Sequence, residues 1–174
     1  LYCERLGPGL LAEPINAITN LSFVVAAIVI WYKARRLDSL SFEILLLIGL
    51  MVAIGLGSGL FHTFATGWAR VLDILPILLF QVVFMWIYGR RIIRISTGKL
   101  VAAAVIFLVS AYFCRQFQHL FNGSLIYAPA LFLLITQGIY QYRHARNHRH
   151  LRLWATGVFI LSLFFRSSDM AVCE

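Results

Sequence analysis

Charge is what this sequence has least of. Only 13% of its 174 residues are Asp, Glu, Lys or Arg, against about 25% in a soluble domain, too few to build a surface that faces water. That scarcity argues against an ordinary cytosolic enzyme. The apolar content excludes a disordered chain, and the composition excludes a collagen-like one. There is no internal repeat, low-complexity stretch or interdomain linker, and the opening LYCERLGPG lacks the basic start and apolar core of a signal peptide. The chain does not begin with Met, so a removed leader or a trimmed start is expected.

What is present is apolar surface. Hydrophobic residues make up 61% of the chain and aromatics 14%, and mean hydropathy is +0.84. Six apolar runs stand out, at about 13–32, 42–62, 71–88, 100–113, 125–140 and 153–165. A membrane helix needs about 20 apolar residues, so each run with its flanks predicts one crossing. Barrel strands would alternate polar and apolar residues, whereas these runs are apolar all round. The expectation is one all-α transmembrane domain covering residues 1–174, a bundle with six visible spans and room for a seventh.

The excess of positive charge, +8, could point to nucleic acid. Its placement points elsewhere, because the basic residues sit in short clusters between apolar runs. Eleven of the fifteen fall in the loops after spans one, three and five; the other side holds Arg5, Arg70, Arg115 and Arg166. The positive-inside rule then puts the basic loops in the cytoplasm and the N-terminus outside or in a lumen. No nucleic acid and no obligate protein partner are expected, only membrane lipid.

Ionisable groups in or beside membrane spans are costly and draw attention as functional candidates. Glu13, Asn16 and Asn20 head span one at helical spacing, which gives them one face directed into the bundle. Helix capping and interhelical hydrogen bonding would also account for them. In GLGSGLFHTF, Gly55, Gly57 and Gly59 fit close helix packing, while Ser58 and His62 lie one turn apart on a shared face. Asp73 opens span three, where it would sit across a short outer turn from His62 or pair with Arg70. At the end of span six, Arg166 and Asp169 are spaced to pair on one helix face. Cys3 and Cys173 fall on the outer, oxidising side, and Cys114 near the outer end of span four. HARNHRH, with His144, His148 and His150, has the look of a zinc motif. It lies amid four arginines on the inner side, so we read it as a loop that meets anionic headgroups.

Together, YCE followed by AEPINAITN, then GSGLFH, then Asp73 eleven residues after His62, and finally RSSDMAVC resemble the alkaline ceramidase family, within a superfamily of seven-helix membrane hydrolases and receptors. Order and spacing agree along nearly the whole chain. The resemblance implies a zinc-dependent hydrolase that cleaves ceramide-like N-acyl lipids to a sphingoid base and a fatty acid. It implies zinc held by a span-two His, here His62, and by two His of an HxxxH pattern on span seven, with a water as the fourth ligand. Ser58 and Asp73 resemble the residues that hold and orient that water. Cys3 and Cys173 resemble a disulfide pair, and Glu4 and Glu13 resemble carboxylates of a calcium site. The sequence ends at Glu174, before an HxxxH span, and Leu6 stands where a calcium-binding Asn would serve. A chain ending there is expected to bind zinc poorly and to be inactive unless the protein continues. A lipid-binding receptor-like protein without turnover is the alternative, and a small proton- or cation-coupled transporter a more distant one.

Overall fold

The structure is a computed structural model that describes residues 4–5, 12–117, 119–145 and 149–168. Every regular element among them is helical. The elements are α1 (Pro14–Thr19), α2 (Leu21–Arg36), α3 (Phe42–Phe64), α4 (Gly67–Tyr88) with a π-helical turn (Gly89–Ile93), α5 (Thr97–Arg115), a 3₁₀ segment (Leu120–Tyr127), α6 (Ala128–His144) and α7 (Leu151–Ser168). Cys3, Asp169, Cys173, Arg146 and His148 lie outside the described residues, and the expectations made for them rest there.

Five helical stretches are long and apolar enough to cross a membrane: Pro14–Arg36, Phe42–Phe64, Gly67–Ile93, Thr97–Arg115 and Gly123–His144. The sixth run does form a helix, but Arg152 and Arg166 both fall within the 18 residues of α7 and dilute its apolar character. Large side chains such as Ile28, Val105, Ile106, Phe132 and Phe164 point outward from these helices. In water that surface would be unfavourable; in hydrocarbon it is solvated. The protein is an integral membrane protein.

The chain divides into two compact units, Leu1–Arg94 and Ile95–Glu174. In the second, polar groups meet in pairs where α7 packs: Arg152 donates to Gln137 Oε1 of α6 at 2.6 Å, and Ser167 Oγ donates to Ser124 Oγ of the 3₁₀ segment at 2.9 Å. Arg166 lies over the Tyr127 ring, 5.2 Å from its centroid. At the end of α6, His144 stacks on Tyr140 and bonds that residue's carbonyl at 2.9 Å.

The first unit holds α1 to α4. Ser41 caps α3, its Oγ accepting the Ile44 N–H at 3.3 Å, and α2 ends on Lys33, Arg35 and Arg36, favourably placed for the helix dipole. Arg35 and Arg36 lie over Trp31 and Tyr32. Only Ala65 and Thr66 separate α3 from α4, so the two run back antiparallel. Ala65 makes that turn in the left-handed region at φ 50°, its N–H closing on Phe61 O at 2.8 Å. A left-handed conformation costs a residue with a Cβ about 1–2 kcal/mol. Ala65→Gly is therefore expected to raise the thermal unfolding midpoint, a gain of about 1 kcal/mol after glycine's greater chain entropy is subtracted; an unchanged or lower midpoint would contradict the strained turn.

Two glycines set how closely α3 packs. A Cβ on Gly55 would meet Val24 Cγ2 at 2.8 Å and Asn20 O at 3.0 Å, on the α2 side. A Cβ on Gly57 would lie 2.0 Å from the Leu72 carbonyl oxygen of α4. Pro76 follows Leu72 by four residues and has no N–H, so the helical bond that would end on that carbonyl is missing. Gly57 packs against the carbonyl that Pro76 leaves exposed within α4. A Cβ on Gly59, in contrast, would make only an ordinary contact with Ala17 O, at 3.8 Å.

Candidate active site

That close approach brings the neighbours of Gly57 and Leu72 together. Ser58 and His62 are buried on one face of α3, as their four-residue spacing predicts, and Asp73 comes across from α4. The Ser58 hydroxyl and the His62 ring both lie near enough to the Asp73 carboxylate to favour its charge. Asp73 Oδ1 is nonetheless buried with no hydrogen-bond partner among the described residues. Arg70 is exposed and forms no ion pair with Asp73 among the described residues. Buried carboxylate oxygens are nearly always satisfied. The Asp73 acceptor departs from that rule beside a serine and a histidine.

His62 has a second carboxylate partner that sequence spacing does not indicate. Glu13 is 4% exposed and contacts His62 Nδ1 through Oε2, while its Oε1 accepts from Arg5 Nε. Arg5 also donates from Nη2 to the His62 carbonyl at 3.0 Å. The sequence does carry one hint of this. A buried acid at the head of a span needs a cation, and Arg5 stands eight residues earlier.

The N-terminal region also redistributes the expected roles. Glu13 stands at the N-cap of α1 without capping it, because its side chain is taken by Arg5 and His62. Glu4 caps instead, accepting the N–H of Ile15 at 2.6 Å and of Asn16 at 3.1 Å. Asn20 Nδ2 donates to Asn16 O at 2.7 Å within the same segment, so this bond ties the α1–α2 junction instead of crossing between helices. Cys114 is a half-exposed free thiol.

Zinc and calcium fare differently on this donor set. An imidazole whose Nδ1 is held by a carboxylate is the form that ligates zinc through its other nitrogen, and the open Asp73 oxygen suits a water at such a centre. The donors thus fit zinc in kind. In number they fall short, since no cluster of three His, Cys, Asp or Glu groups that could hold a metal occurs among the described residues, and catalytic zinc normally takes three protein ligands. Calcium prefers six to eight oxygens. Here both oxygens of Glu4 and both of Glu13 already face N–H donors, one of them a guanidinium. A cation beside Glu13 would be repelled by Arg5, so the described residues do not fit calcium.

A family model described as Ceramidase matches residues 7–174. No curated protein and no solved structure matches the chain. The matched stretch takes in Glu13, Ser58, His62 and Asp73 and runs through every helix. This integral membrane protein belongs to the Ceramidase family.

Proposed function

We propose that the protein hydrolyses the amide bond of ceramide-like N-acyl sphingolipids, assisted by zinc, at a centre containing Ser58, His62 and Asp73. Membership of the Ceramidase family supports ceramide hydrolysis in general terms. The observation that carries the finer reading is the buried Asp73 Oδ1, beside Ser58 and His62 and without a hydrogen-bond partner among the described residues.

Hydrolysis needs a base for the attacking water, donors for the developing oxyanion and an acid for the leaving amine. Asp73 accepts the proton from the water at its open oxygen and returns it to the sphingoid nitrogen as the C–N bond breaks, releasing a free amine and a fatty acid. Ser58, beside the Asp73 carboxylate, orients the water or donates to the oxyanion. His62 would hold the metal, its ring fixed through Nδ1 by Glu13. When bound, zinc supplies Lewis acidity, bringing the acidity of a water to about pH 7 and polarising the acyl carbonyl. The remaining ligands would come from outside the described residues. With basic loops cytoplasmic, the site lies towards the outer or lumenal side.

The test is release of labelled fatty acid from a ceramide by the intact protein in lipid. Product formed by the wild type and lost in His62→Ala is expected. Stoichiometric lipid binding with no product from amide or ester lipids would instead favour a receptor-like protein.

A further inference from the structure

A carboxylate buried at the head of a membrane span persists as an anion only if the fold supplies a cation or several donors. For Glu13 the cation is part of the chain. The Arg5 guanidinium, its side chain 11% exposed, donates in two directions: through Nε to Glu13 Oε1 and through Nη2 to the His62 carbonyl. Glu13 spends its other oxygen on His62 Nδ1. One planar group thus grips the carboxylate that holds the ring and also the backbone that carries it.

This geometry constrains His62 in two ways. The backbone bond fixes the last turn of α3, and the carboxylate orients the ring through Nδ1, as carboxylates do for metal-ligating histidines. An ammonium could match the charge but lacks the fork that reaches two differently placed acceptors.

We propose that Arg5 is the resident cation of this site and a positioning residue for His62, occupying the place beside Glu13 that a calcium ion would otherwise take, so that the site assembles without a divalent cation. The proposal rests on reading His62 as part of the hydrolytic centre. It goes beyond that reading in assigning the charge balance of the N-terminal segment to a side chain.

The experiment uses the intact protein in lipid with Arg5→Gln and Arg5→Lys, read by ceramide kcat and KM, by zinc affinity, and by equilibrium dialysis against radioactive calcium. The wild type should bind no stoichiometric calcium at about 1 mM, the weak end of extracellular calcium modules. Arg5→Gln should lower kcat and weaken zinc binding about 10- to 100-fold with a smaller change in KM, and Arg5→Lys should recover part of both. One calcium per wild-type chain, or Arg5→Gln with wild-type kcat and zinc affinity, overturns the proposal. Should Arg5→Gln fail to fold, Arg5→Lys and the wild-type calcium measurement still decide it. Hydrolysis undiminished in His62→Ala would instead sink the reading of the centre, while calcium uptake would still report on Arg5.

Discussion

Alanine at position 57 is expected to abolish most activity and to lower the unfolding midpoint, although it adds a single methyl group. That methyl would lie 2.0 Å from the Leu72 backbone oxygen, and a backbone atom cannot swing aside as a side chain can. Either α3 and α4 separate or α4 shifts along its axis. Overpacking of this kind costs about 1–3 kcal/mol, occasionally more, and the displacement falls one residue from both Ser58 and Asp73. A misplacement of about 1 Å can cost about 10²-fold in rate. Gly49→Ala is the control, because a Cβ there meets nothing within 4 Å, and alanine favours a helix interior by up to about 1 kcal/mol over glycine. Thermal melts and turnover of the two variants side by side check the prediction. Equal behaviour would show that α3 and α4 are not in contact at Gly57.

The second large effect belongs to Asp73. Asp73→Asn keeps shape and volume but cannot accept a proton at the open oxygen, so ceramide turnover is expected to fall about 10²- to 10⁴-fold, the usual contribution of a general base. Substrate binding should change little, since the carboxamide fills the same space beside Ser58. Ser58→Ala should cost less, because it removes an orienting hydroxyl and leaves the base. A drop in KM-dependent binding with kcat preserved would reassign Asp73 to substrate recognition.

How much of this was legible in the sequence depends on the distance over which each feature is determined. The six apolar runs became helices close to their expected bounds, as with α3, expected over 42–62 and found over Phe42–Phe64, because helix formation in hydrocarbon is a local matter of length and apolarity. The pairing of Ser58 with His62 follows from helical spacing, and the approach of Asp73 from a turn too short to send α4 elsewhere. Other features depend on helix docking. Gly57 and Gly59 look alike in sequence, yet only Gly57 faces the carbonyl freed by Pro76. Glu13 meets His62 across 49 positions, a contact no local period encodes. The exchange of roles between Glu4 and Glu13 has the same origin: Glu4 meets the first turn of α1 at Ile15 and Asn16, so the nearer acid is released to the site. α7 shows the limit of composition, since its two arginines keep it short of the apolarity of the other five spans.

The central claim is that Ser58, His62 and Asp73 work as one hydrolytic unit. Its most direct test is the rate of labelled fatty acid release from ceramide by the intact protein, compared among His62→Ala, Asp73→Asn and the double variant. Residues that act as a unit are strongly non-additive. Each single variant should therefore lose most of the rate, and the double variant should lose little more than the worse of the two. Wild-type turnover in either single variant, or losses that multiply in the double, would contradict the account.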